Sequence, residues 1–377
     1  MFWRKRIYLD RAAGAAGNPS SPHEEGRRAK AMLENARTDI ARLVEVQSDD
    51  VIFTSGATES NALAILGHVR ARRAAAYGKA HVLYLPTAHA SIVENMQLLA
   101  AEGVSIEALP IRAGQVDTDK LSNMLRRETM LVSMDAVCGE TGIVWNTREI
   151  AEVLQNASDG GATERILLHV DASQAPLTEK ITRTHFGADL LTLDASKVGV
   201  TRGIGALVAH RSIAIASLYR GGGQERTLRP GTEAPELALS FSAALRAAVL
   251  GRATFRAAAK RDRANLIHAI TDTVPNVYIQ EGRAQAPHIL NLSFPGRDTD
   301  YLVALLDEVG FAVSTRSACE TDSEDGSRVV FALTGDRERA RATLRISWDS
   351  RVRSRSLARF AAALARGIAF IDSMGRR

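Results

Sequence analysis

Short apolar runs recur along the chain, and between them apolar residues fall at the three-to-four-residue spacing of helices. Runs at 51–54, 81–85, 104–109, 130–134, 166–170, 189–193 and 204–209 have the length and continuity of strands buried on both faces. Most are separated by helix-like segments such as 90–102, 117–126 and 147–155. Ahead of the first strand, Ala29, Met32, Leu33, Ala36, Ile40, Leu43 and Val44 predict an amphipathic helix ending near Val44. Ser21-Pro22-His23-Glu24 reads as its capping box, with proline at the first helical position. Another helix is predicted from about Glu59. Strands alternating with helices predict an α/β fold with a mainly parallel sheet covered on both faces. From about residue 236 the pattern changes to a long alanine- and arginine-rich helix, followed by an α+β section. Strands are expected there at 288–294 and 342–348, and a last helix over about 352–371. No internal repeat or low-complexity linker intervenes, so a large unit (12–240) and a smaller one (1–11 with 241–377) should pack as one body.

Composition narrows the function classes. With 377 residues, 45% hydrophobic and 24% charged, the chain is too apolar for disorder, and two cysteines are too few for a disulfide scaffold or thiolate cluster. No stretch approaches the roughly 20 apolar residues of a membrane span. The first ten residues lack the apolar core of an export signal, so a reducing cytoplasm is expected, with Cys138 and Cys319 as free thiols. The net charge is +5, from 48 basic residues interleaved with 43 acidic ones, which does not indicate nucleic-acid binding. Only 7 of the basic residues are lysines, which leaves few candidates for amine chemistry.

The chemistry-bearing residues cluster at strand ends. Asp171 ends the run Leu167-Leu-His-Val-Asp, where ligands bind in open α/β sheets, although a strand-end Asp also simply caps turns. Leu190-Leu-Thr-Leu-Asp-Ala-Ser-Lys197 ends a second apolar run in a lysine, a residue costly to desolvate unless its charge is used or its pKa lowered. A lysine with a partner acid is what pyridoxal 5'-phosphate (PLP) chemistry requires. Ser55-Gly-Ala-Thr-Glu-Ser60, between strand and helix, offers N–H groups at a helix N-terminus for a phosphate. Gly221-Gly-Gly-Gln-Glu-Arg-Thr-Leu-Arg-Pro-Gly-Thr232 is more than a plain loop requires. His89 opens a helix and is either structural or catalytic. Cys319 lies in a polar stretch that suits a reactive thiol, whereas Cys138 reads either way. Arg345, within a strand-like run, suits either capture of a carboxylate or an internal ion pair.

Taken in order, Gly17-Asn-Pro-Ser-Ser, Phe53-Thr-Ser-Gly-Ala-Thr-Glu-Ser60, His169-Val-Asp-Ala-Ser-Gln174, Gly221-Gly-Gly-Gln-Glu-Arg226 with Arg229-Pro-Gly-Thr232, and Ser317-Ala-Cys319 resemble the cysteine desulfurases. These are PLP enzymes of the class V aminotransferase group, and the likeness runs from Ile7 to about Ser347. It is to the subgroup with a long cysteine loop. The resemblance implies fold type I, the aspartate-aminotransferase-like fold, with a seven-stranded sheet in the large domain. It implies Lys197 as the Schiff-base lysine and proton carrier, Asp171 on the pyridine nitrogen, His89 stacked on the ring, and Gln174 on the phenolic oxygen. Ala57, Thr58 and Ser196 would hold the phosphate, with Thr232 supplied by the second subunit of a homodimer. Arg345 would bind the α-carboxylate of L-cysteine, and Cys319 would take the sulfur as a persulfide for an acceptor protein or iron–sulfur scaffold. Two other readings are a related β-elimination, such as selenocysteine lyase, and a catalytically weak sulfur-transfer paralogue.

The chain departs from that pattern in four places. The stretch between Asp10 and Gly17 is short, and Asn-Asn-Glu is replaced by Cys138-Gly139-Glu140. Ser-x-His-Lys becomes Asp194-Ala-Ser-Lys197, which puts a carboxylate where a phosphate-binding hydroxyl is expected. The segment after the lysine is Val198-Gly-Val-Thr-Arg202.

Overall fold

A computed structural model describes residues 7–14, 17–76, 79–159, 165–199, 201–315 and 326–374. Among these described residues, twelve strands run in chain order: β1 Val51–Thr54, β2 His81–Tyr84, β3 Ser105–Ala108, β4 Ile111–Arg112, β5 Gln115–Val116, β6 Thr129–Asp135, β7 Leu167–Asp171, β8 Leu190–Asp194, β9 Gly205–Ala209, β10 Tyr278–Ile279, β11 Ile289–Ser293 and β12 Thr343–Ser347. Seven form one sheet in the order β1-β9-β8-β7-β6-β2-β3, and β10-β11-β12 form a second. The apolar runs thus mark the sheet strands to within a residue or two. The neighbouring pairs β8–β7, β7–β6, β6–β2 and β2–β3 are parallel, whereas β9 runs antiparallel to both β8 and β1. The reason lies in the connections: a short link, without room for a crossover helix, joins β8 to β9. The short hairpin β4–β5 and strand β10 carried no sequence pattern long enough to reveal them.

The first long helix begins at Glu24 rather than at Pro22. Its cap is His23, whose Nδ1 accepts from the Gly26 N–H at 3.1 Å. Ser21 is drawn away instead, donating to Asp10 Oδ2 at 3.0 Å, and His23 Nε2 meets the same oxygen at 3.0 Å. The expected capping box therefore fails because Asp10 supplies a competing acceptor. The helix reaches Val44 as its apolar spacing predicts.

Two apolar cores form, one around the seven-stranded sheet and one between the three-stranded sheet and the C-terminal helix Ser354–Met374. The helix Pro235–Thr271 joins them: Ala238, Phe241 and Leu245 enter the first core, and Leu266 and Ile270 the second. No helix among the described residues is long and apolar enough to cross a membrane.

A buried ion pair fastens the glycine-rich segment to the first core. Arg37 donates to both carboxylate oxygens of Glu225, at 2.8 and 2.7 Å, and to Val51 O at 2.7 Å. The Phe53 N–H donates to Glu225 Oε2 at 2.8 Å. Glu225, Arg226 and Thr227 all have left-handed backbone conformations (φ 47, 60 and 64°), a cost of about 1 kcal/mol or more each that these anchors offset. Arg37→Met would strand a buried carboxylate. It should lower the unfolding free energy by about 3 kcal/mol, read from chemical denaturation; an unchanged midpoint would show that the pair contributes nothing net.

Candidate active site

The ends of β7 and β8, with the helix starts facing them, build the site. Asp171 closes β7 and is buried. Its Oδ1 accepts from the Ser173 N–H at 2.9 Å and its Oδ2 from Asn61 Nδ2 at 2.7 Å. Asn61 also donates to Ser91 Oγ at 2.8 Å, and that hydroxyl lies 2.8 Å from His89 Nδ1. Because Nδ1 also accepts from the Ser91 N–H at 3.1 Å, where it caps the helix Ala90–Ala101, the ring's proton is assigned to Nε2. His89, otherwise exposed, is thus coupled to Asp171 through two side chains that sequence reasoning missed. Nothing in their sequence neighbourhoods marks them: Asn61 follows Thr58, Glu59 and Ser60, and its burial with Ser91 is visible only in the folded chain.

The floor beneath these groups is kept short of charge. His169 is fully buried between Ser133 Oγ (2.8 Å) and Thr192 Oγ1 (3.1 Å), and burial pushes its pKa down to about 4. Asp135 is the register partner of Asp171 on β6, so both side chains leave the same face. Burial, and then the negative Asp171 beside it, push the Asp135 carboxyl up to about 8, and its Oδ1 has no hydrogen-bond partner among the described residues.

Lys197 ends a single 3₁₀ turn, Ala195–Lys197, directly after β8. Lys197 does not bear the desolvation cost considered from the sequence: it and Ser196 are exposed, because the turn lifts them off the end of the buried strand. Asp194, the last residue of β8, is paired. Its Oδ2 accepts from the Ala57 N–H at 2.9 Å, and its Oδ1 accepts from the Ser196 N–H and hydroxyl, both at 2.7 Å. Thr58 is exposed beside it.

A second group forms where Arg345 of the three-stranded sheet meets the segments that follow β6 and β7. Arg345 on β12 donates to Gly139 O at 3.3 Å, and a Cβ on Gly139 would come within 3.2 Å of Gln174 Nε2. The missing side chain at 139 is therefore matched by Gln174 lying against the bare backbone. Cys138 is buried, and desolvation, followed by the charge of Asp135, pushes its thiol up to about 12, so the open question about it closes on an inert thiol. Cys319 lies outside the described residues. The chain on either side of it is tied to this group: Ser314 pairs with the Arg345 backbone, and the Ser327 hydroxyl donates to Glu140.

The glycine-rich segment meets the other side of the site. Tyr219 OH and Arg229 Nε donate to Glu59 Oε1 at 2.9 and 3.3 Å, while Glu59 Oε2 accepts from the Ser55 N–H at 2.5 Å. Thr232, which follows, is exposed.

This donor set fits the ring of PLP. A buried carboxylate, a neighbouring amide side chain and an accessible lysine amine are present, and the buried Ser173 Oγ and Thr87 Oγ1 lack hydrogen-bond partners among the described residues. At the phosphate end the Ala57 and Ser196 donors are present but already hold a carboxylate.

Comparison with known proteins agrees with this geometry. The class-V aminotransferase profile ("Aminotransferase class-V") matches residues 6–350. The cysteine desulfurase IscS 1 of Archaeoglobus fulgidus is 32% identical over 331 residues, covering 87% of this chain and 83% of that protein. A mitosomal cysteine desulfurase of Encephalitozoon cuniculi is 33% identical, covering 87% and 75%. Among solved structures, DndA from Streptomyces lividans superposes with a TM-score of 0.73 at 31% identity, covering 90% of this chain and 94% of that one. A NifS-like protein superposes with a TM-score of 0.85 at 24% identity, covering 94% and 92%, which bears on the fold alone. With both sheets, the strand-end residues and these relatives in agreement, the chain belongs to the class V aminotransferases and, within them, to the cysteine desulfurase family.

Proposed function

We propose that the protein is a PLP-dependent cysteine desulfurase that converts L-cysteine to L-alanine and keeps the sulfur as a persulfide on Cys319. The observation that carries this reading is the meeting of Lys197, Asp171 and, through Asn61 and Ser91, His89 at one edge of the sheet. The balance is simple: the Cβ–S bond of cysteine breaks, an S–S bond forms to Cys319, and the thiol protons end on the alanine methyl and the persulfide. When bound, PLP supplies the electron sink for bond breaking at the substrate's Cα and Cβ.

The chain's own residues do the rest. Asp171, oriented by Asn61 and the Ser173 N–H, would hold a protonated ring nitrogen, and Gln174 would donate to the ring oxygen. His89, with its proton on Nε2, would stack over the ring and assist proton transfer. Lys197 would hold the cofactor and move the substrate's α-proton. Arg345 would clamp the α-carboxylate bidentately. Ala57, Thr58 and Ser196 would hold the phosphate, with Thr232 of a second copy completing that site in a homodimer. The large unit (12–240) would carry the cofactor, and the smaller one (1–11 with 241–377) Arg345 and Cys319. The sulfur would pass, in the cytoplasm, to an acceptor protein or scaffold serving iron–sulfur cluster assembly or tRNA thiolation.

The reading is tested by mass spectrometry of the holoenzyme after incubation with L-cysteine. One extra sulfur is expected on the Cys319 peptide and none on Cys138, and Cys319→Ala should stop sulfide release while the cofactor remains bound. Undiminished turnover in that variant would refute the persulfide step.

A further inference from the structure

The turn that binds Asp194 is built by a close approach of two glycines. Gly56, with φ 151°, occupies a backbone conformation that side chains rarely adopt. A Cβ on Gly205 would come within 2.7 Å of Gly56 Cα. This approach brings the start of the helix at Ala57 against the end of β8. The helix is longer than its first segment, Ala57–Ala62, because it continues through a π-helical turn, Leu63–Gly67, into His68–Ala76. Its first N–H groups have no partners within the helix and carry its positive end. The Ala57 N–H, the Ser196 N–H and the Ser196 hydroxyl converge on one carboxylate, that of Asp194, at 2.7–2.9 Å. Ala57 and Ser196 are residues proposed above as phosphate ligands.

We propose that Asp194 is an internal anion that fills the phosphate cradle of the apoprotein, so that binding a phosphorylated cofactor is an exchange of one anion for another. The inference rests on the PLP reading for the identity of that cofactor. The incoming phosphate must displace the carboxylate from its three donors, and both charges then share one turn of backbone. A cofactor aldehyde without phosphate, pyridoxal, leaves Asp194 in place and meets no such penalty. The cradle thus favours PLP over pyridoxal much less than an uncharged one would.

Purified apoprotein, its Asp194→Ser and Asp194→Asn variants, and a Lys197→Ala control are titrated with PLP and with pyridoxal. Adduct formation is read from visible absorption, and thermal stability is measured with and without inorganic phosphate. Both Asp194 variants should bind PLP at least ~10-fold more tightly than the unaltered protein, while pyridoxal affinity changes by less than about 3-fold. Inorganic phosphate should raise the melting temperature of Asp194→Ser and not that of the unaltered protein. Asn keeps the shape and one acceptor of Asp194, so its gain isolates the charge if Asp194→Ser folds poorly. Equal PLP affinity in all Asp194 forms, or equal stabilisation by phosphate, overturns the exchange while leaving the desulfurase reading intact. If no form gains a visible band but the phosphate response differs as expected, the exchange stands and the PLP reading fails.

Discussion

Lys197→Ala should abolish release of sulfide from L-cysteine, lowering turnover by roughly 10⁴-fold or more, the scale reached when a residue central to covalent catalysis is removed. Lys197 sits one short turn beyond the end of β8, its amine exposed at the edge where Asp171 ends β7. The other described lysines, Lys30, Lys79, Lys120, Lys180 and Lys260, lie on helices or connections. Because the side chain is exposed, its truncation should move the unfolding free energy by no more than about 0.5 kcal/mol, so lost turnover with an unchanged melting temperature is a chemical effect. Lys197→Arg should be equally inactive, since a guanidinium keeps its proton and cannot act as the amine. Turnover within tenfold of the original in either variant would remove Lys197 from its proposed role.

Asp135→Asn should stabilise the protein, and by an amount that grows with pH. The unfolded carboxyl ionises near its ordinary value of 3.8, whereas the folded one holds its proton up to about 8. The folded state therefore binds more protons throughout that interval, and stability falls as pH rises from about 4 to about 8. At pH 7 this penalty has an upper limit of about 4 kcal/mol, from ~1.4 kcal/mol per pH unit. Asparagine has the shape of the protonated acid and does not titrate, so the variant should lack this slope: nearly matched to the original at pH 4, and more stable at pH 7 to 8. Denaturant melts across that range give the comparison. Parallel pH profiles for the two proteins would mean that Asp135 carries no raised pKa.

Most of the fold was legible because strand burial leaves a strong mark: β6, β7, β8 and β9 are apolar runs found within a residue or two of the expected positions. The ends of elements were less legible, since they depend on partners remote in sequence. Ser21 failed as a cap because Asp10, eleven residues earlier, took its hydroxyl. The site divides the same way. Lys197 and Asp171 stand out by residue type and strand-end position, whereas the roles expected of His89 and Gln174 came from the family resemblance; the departure at Asp194 was visible, but its pairing was not. Asn61 and Ser91 acquire meaning only when two helices bring them beside Asp171. Asp135 needs the register of β6 against β7, and Cys138 needed only its burial to be settled.

The helix Pro235–Thr271, about 55 Å long at 1.5 Å per residue, is a single rod planted in both cores. Arg345 stands on the sheet at one end, and Lys197 and Asp171 stand on the sheet at the other. Any narrowing of the gap between the cores must therefore flex this rod or slide along it. The two grips on it overlap. Past Leu245, Val249 still packs against the first core, and Arg256 donates to Thr178 O at 2.8 Å and pairs with Glu179. Phe255 already packs against the second core, so the rod has no long unsupported span, and the cores must move by bending it as a whole.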